Sequence, residues 1–127
     1  MNKHARPTDS ELEILQVLWE HGPSTVRQVH EQISQQREVG YTTILKLMQI
    51  MAEKGLAERN TDQRTHIYRA AVTEAQTQQT LLRRFLDTTF RGSAAKMVMQ
   101  ALGNRDTSPE ELEEIKAFIQ RMEDENE

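Results

Sequence analysis

Thr42, Thr43, Lys46 and Gln49 recur at the spacing of one helix face within YTTILKLMQIM, opposite a stripe of Ile44, Leu47, Met48 and Met51. Each polar type suits the edge of a base pair. Threonine carries a hydroxyl and a methyl, lysine donates to guanine or to a phosphate, and glutamine matches adenine. An ordinary solvated helix face has the same composition, so both readings stand. Tyr41 precedes the stripe and either donates to a phosphate or staples the helix N-terminus. Leu45 and Ile50 fall off the stripe, and Leu45 suits either a thymine methyl or further core packing.

Cations follow a few residues later. Arg59, Arg64 and Arg69 lie in two strand-like runs, 56–60 and 65–72, separated by Thr61-Asp62-Gln63-Arg64. Placed along a hairpin, they contact a nucleic-acid backbone or pair across the strands with Glu58 or Asp62. Upstream, Thr25, Arg27 and Gln28 open a short helix whose first amides can face a phosphate. Thr25 and Gln28 also have the spacing of a capping box.

Other chemistry finds no support. The chain has no cysteine, hence no disulfide, thiolate site or cysteine nucleophile. His4, His21, His30 and His66 lack ligand-like spacing and read as surface or packing residues. No glycine-rich phosphate loop, nucleophile elbow or paired-carboxylate motif is present. The expectation is a protein that is not an enzyme and holds no metal or cofactor.

These residues need elements to position them. Thr8 and Glu11 form a capping box ahead of Leu12, Leu15, Leu18 and Trp19, and Gly22-Pro23 ends that helix. Ser24 or Thr25 caps a second helix that buries Val26, Val29 and Ile33. Residues 34–38 form a polar loop, Gly40 precedes the third helix, and Gly55 suits its left-handed cap. Three helices followed by a hairpin is the plan of a winged helix-turn-helix, in which the third helix enters the major groove. Three more helices follow: Thr73 with Gln76 opens the first, Arg91-Gly92 breaks it, Ser93 caps the second, and Ser108-Pro109-Glu110-Glu111 starts the third.

The chain therefore reads as mainly α with a small β-wing. Residues 1–72 form a winged-helix DNA-binding domain and residues 73–127 a helical module. The later helices carry apolar residues that a filled winged domain cannot cover: Leu81, Leu82, Phe85, Leu86 and Phe90, then Met97, Val98 and Leu102, then Leu112, Ile115, Ile119 and Met122. A second copy with the same faces covers them in a two-fold homodimer; a small intramolecular bundle is the other solution.

Charge fits this division. The formal net charge is −4, yet residues 1–72 balance nine basic against nine acidic residues, and residues 37–69 hold six against four. The excess of acid falls in the helical module, where Glu110–Glu114 and Glu123–Glu127 read as a solvated face and tail. The 127 residues contain no apolar run of membrane-spanning length, and MNKHARPTDS lacks a signal-peptide core. A cytoplasmic protein without direct membrane binding is expected.

The segments PTDSELEILQVLWEHGPSTVRQV, YTTILKLMQIMAEKGL, HIYRA, FRGS and SPEELEEI run in order along almost the whole chain. Together they resemble the BlaI/MecI, or penicillinase repressor, family of bacterial transcriptional repressors. The resemblance implies a winged helix, a C-terminal dimerisation module and pseudo-palindromic operators in double-stranded DNA, with Thr42, Thr43 and Lys46 near the bases. Repressors of β-lactamase genes carry basic or hydroxyl residues where this chain has Leu45 and Ile50, so a different operator is expected. The copper-responsive branch carries a C-terminal cysteine motif, and copper sensing is not expected without one. In antibiotic-responsive members a membrane-bound zinc metallopeptidase sensor triggers cleavage at an Asn-Phe pair. Counting from FRGS, the corresponding pair here is Gln100-Ala101. The other reading of the chain is a winged-helix scaffold for protein interaction without sequence-specific DNA binding.

Overall fold

In the computed structural model, residues 6–104 and 106–126 are described. The elements run α1 (Asp9–His21), α2 (Val26–Ser34), α3 (Tyr41–Lys54), β1 (Ala57–Asn60), β2 (Ile67–Ala70), α4 (Glu74–Phe90), α5 (Ala94–Gly103) and α6 (Pro109–Glu125). Mainly α with one two-stranded antiparallel sheet, this is the winged-helix order expected from the sequence.

Local hydrogen bonds start most of the helices. The Glu11 amide donates to Thr8 Oγ1 and the Thr8 amide to Glu11 Oε1, a reciprocal box at the head of α1. Thr25 and Gln28 repeat it for α2, which settles Thr25, rather than Ser24, as the cap. Ser24 instead bridges to the wing: its amide donates to the Tyr68 carbonyl at 2.9 Å and the Tyr68 amide returns to Ser24 at 2.8 Å. Ser93 and Ser108 cap α5 and α6. Gly55 ends α3 at φ +83°, a left-handed position that a side chain would strain.

The chain divides into two compact units, Met1–Arg83 and Arg84–Glu127. Ile14, Leu15, Leu18, Val26, Val29, Ile33, Ile44, Met48, Met51, Leu56 and Tyr68 form the core of the first. Within α1 the buried face is Glu11, Ile14, Leu15 and Leu18, at i, i+3, i+4 and i+7. Leu12, which the sequence places at helical spacing with Leu15 and Leu18, is only half-buried, because a helix turned to bury Ile14 and Leu18 carries it to the flank. Leu47 is likewise half-buried, leaving Ile44, Met48 and Met51 as the buried stripe of α3. The strands are shorter than the sequence runs, pairing Ala57 with Ala70 through Asn60 with Ile67. Thr77 of α4 is buried, and the first turns of α4 belong to this unit rather than to the second.

In the second unit, no residue of α5 or α6 is buried among the described residues. Phe85 and Phe90 meet edge to face at 5.5 Å, and Arg121 lies 5.7 Å from the Phe118 ring centre. Gly92, at φ +84°, follows Arg91 at φ +52° in the turn between α4 and α5.

Candidate nucleic-acid interface

Three elements of the first unit meet at one surface: the N-terminus of α2, the outer face of α3, and the wing. Between them lies a groove of about 400 Å³ lined by Thr25, Val26, Arg27, Tyr41, Leu45, Gln49, Arg59, Arg64, Thr65, His66 and Tyr68. Six of the ten nucleic-acid candidates therefore face a single concavity. Thr42, Thr43 and Lys46 are exposed on α3, and Gln28 is exposed on α2 with its side chain held in the capping box. The sequence spaced these residues over forty positions; helix crossing and hairpin pairing bring them together.

Several side chains are already engaged. Arg27 pairs with Glu31 at 3.6 Å, one turn along α2. Such an exposed pair is weak, which leaves the guanidinium available to a stronger anion. Arg69 donates to Glu58 across the strands, so of the alternatives open for the wing it takes the pairing role. Arg59 and Arg64 make no ion pair among the described residues. Leu45 packs against the core while lining the groove wall, and Tyr41 remains 47% exposed beside it.

Sequence reasoning missed the residues that hold α3 in place. Glu11 is only 2% exposed, and Lys54, the last residue of α3, donates to its carboxylate at 2.6 Å. Burial pushes the Glu11 carboxyl up, but the hydrogen bonds from Lys54 and Thr8 and the Lys54 charge outweigh it and leave the group below its ordinary range. A buried acid in the first turn of α1 therefore clamps the far end of α3. The signal lay in a glutamate on the apolar face of α1, hidden by its capping-box role. His30 was read as a surface or packing residue; its ring bonds the Val39 carbonyl just before α3. Arg37 bonds Glu13 of α1 through two guanidinium nitrogens, tying the loop after α2 to the first helix.

Among the described residues, no group of three or more His, Asp or Glu side chains is arranged to hold a metal ion. His4 lies outside the described residues. No helix among the described residues is long and apolar enough to cross a membrane.

The apolar residues expected at a homodimer face divide evenly between exposed and half-buried. Leu82, Phe85, Val98, Leu112, Ile119 and Met122 are open to solvent, with Phe85 and Ile119 each 49% exposed, and Leu81, Leu86, Phe90, Met97, Leu102 and Ile115 are half-buried. Met99 and Phe118, absent from the expected face, are exposed beside it. Gln100 and Ala101 both lie inside α5 and are exposed.

Comparison with known proteins agrees with this architecture. A family model described as penicillinase repressor matches residues 7–121. A transcriptional regulator BlaI of Mycobacterium tuberculosis is 41% identical over 69 residues, covering 54% of this chain and 50% of that protein. That match spans about half the length of the relative. A penicillinase repressor of Bacillus licheniformis is 24% identical over 120 residues, covering 94% of both chains. The solution structure of the DNA-binding domain of the repressor BlaI superposes with a TM-score of 0.52 at 24% identity, covering 59% of this chain and 92% of that one. This likeness shows the fold of the winged unit.

Proposed function

The chain belongs to the penicillinase repressor family, and from that premise we propose that it is a transcriptional repressor that binds pseudo-palindromic operator DNA as a homodimer. The observation that carries this reading is the groove in which Thr25, Arg27, Tyr41, Gln49, Arg59 and Arg64 converge. With α3 in the major groove, Thr42, Thr43, Lys46 and Gln49 reach base edges. The wing lies along the flanking backbone, where Arg59 and Arg64 neutralise phosphates. The amides at the head of α2 face another phosphate. This division separates contacts that position the protein from contacts that read sequence.

The exposed apolar faces of the second unit support the dimer. Side chains as large as Phe85, Ile119 and Met122 are each about half exposed, and several such exposed apolar residues on one small module call for a partner that covers them. Two-fold pairing presents two copies of α3 to an inverted repeat. Linkage raises the effective concentration of the second winged unit at its half-site. Release follows a proteolytic or other signal that separates the winged units of the two protomers. The module that such a signal would cut contains Gln100-Ala101.

The test is a mobility shift with a duplex selected from a random pool by the intact protein. The selected sequences should be inverted repeats, and affinity should fall steeply with salt as neutralised phosphates release counterions. Selection of no inverted repeat, or affinity indifferent to salt, would overturn the reading.

A further inference from the structure

Helix α3 starts differently from its neighbours. Its N-cap is Gly40, and no side chain accepts from its first-turn amides, whereas α1 and α2 each begin with a reciprocal capping box. Something else must fix where the helix begins. The Ile44 amide closes the first turn on the Gly40 carbonyl at 3.3 Å, a long bond that does little to hold the angle of approach.

His30 stands at that junction. From the half-buried side of α2 its Nε2 contacts the Val39 carbonyl at 2.8 Å, and Ser34 Oγ lies 3.2 Å from the same nitrogen. A carbonyl only accepts, so Nε2 carries the proton and donates. The imidazole also meets the Tyr41 ring edge to face, with centroids 5.8 Å apart and planes at 79°. One side chain thus ties α2 to the residue before the Gly40 cap and to the first residue of α3. Tyr41 lines the groove, so a ring fixed against His30 fixes a groove wall.

We propose that His30 is a positioning residue for α3, setting the start of that helix and the orientation of Tyr41; the inference rests on the DNA-reading role given to α3 above. His30 itself is not among the residues lining the groove. Its effect passes through Val39 and Tyr41. Base-edge recognition tolerates little displacement, whereas phosphate attraction depends weakly on helix angle. Loss of His30 should therefore cost discrimination between sequences more than it costs DNA affinity in general.

The experiment uses the full-length chain with two substitutions, His30→Ala and His30→Gln, since a glutamine amide can donate from nearly the place of Nε2. Two duplexes of equal length are titrated: the inverted repeat selected by the wild-type protein, and a scrambled version. His30→Ala should weaken binding to the selected duplex by about tenfold while the scrambled duplex changes by less than about twofold. His30→Gln should recover most of the lost affinity. In the protein alone, amide exchange at Ile44 should quicken by about tenfold in His30→Ala, with Leu15 and Val29 unchanged. Equal losses on both duplexes, no rescue by glutamine, or faster exchange at all three amides would show a structural role only and overturn the proposal. Unchanged Ile44 exchange would overturn it too. A wild-type protein that selects no duplex would instead overturn the DNA reading, while the exchange arm still decides whether His30 holds α3.

Discussion

Replacing Lys54 by methionine removes the cation that compensates the Glu11 carboxylate while keeping an unbranched stem along the same path. Glu11 is 2% exposed and accepts from Lys54 Nζ at 2.6 Å and from the Thr8 amide at 2.9 Å. Stranding one partner of a buried ion pair costs about 3–5 kcal/mol. The Lys54 side chain is 31% exposed, so water screens part of the pair and the expected loss is about 2–3 kcal/mol at pH 7. Against a total stability of roughly 5–15 kcal/mol this is readily measured. Trp19, whose Nε1 donates to the Val72 carbonyl at 2.9 Å, supplies a fluorescence signal from the same unit. Urea unfolding at one fixed protomer concentration keeps association from shifting the midpoint. The pH dependence makes the test sharper. In the wild type, the Glu11 pKa is lower folded than unfolded, so its contribution is full above the unfolded value of 4.5 and is lost as pH falls through the folded pKa. Without Lys54 the carboxyl titrates higher in the folded state, because burial is no longer opposed by that cation. The difference between the two proteins should therefore be largest at neutral pH and shrink as pH falls, first through the raised carboxyl pKa of the variant and then through the lowered one of the wild type. A loss under about 0.5 kcal/mol at pH 7, or one that is constant from pH 7 to pH 3.5, would refute the clamp.

On DNA, Lys46→Ala should cost about 1–3 kcal/mol on the selected duplex and relax preference at one position per half-site, read by competition titration. Arg64→Ala should weaken all duplexes about equally and lower the magnitude of the salt slope by about one. Light scattering should find the intact chain dimeric at micromolar concentration, with an interface of more than about 2,000 Å², and residues 1–83 alone monomeric; Ile119→Glu should shift the intact chain toward monomer. A β-lactam-activated sensor protease specific for Asn-Phe should release little fragment ending at Gln100, since alanine forfeits about 2 kcal/mol of the burial an aromatic side chain provides. The bond also lies within α5, which must unwind to enter an active site. Efficient cutting there, seen by mass spectrometry, would contradict the specificity argument.

What the sequence alone determined is what neighbouring residues decide between themselves. The boxes Thr8–Glu11 and Thr25–Gln28 and the caps at Ser93 and Ser108 were legible because each hydrogen bond closes across one helical turn. The stripe of Ile44, Met48 and Met51 followed from the helical period, and with it the outward placement of Thr42, Thr43, Lys46 and Gln49. Order of elements then sufficed for the winged helix. Contacts between residues remote in sequence depended on how helices cross and strands align, which no local pattern encodes. Lys54 reaches Glu11 across 43 positions, and only the packing of α3 on α1 decides that. Strand register gave Arg69 to Glu58 and left Arg59 and Arg64 facing the groove, although the sequence offered the same choice to all three. His30 looked like any half-buried histidine until the turn before α3 brought the Val39 carbonyl to its ring. Periodicity names the face a residue occupies, but its partner is fixed only when the core has set the distances between faces.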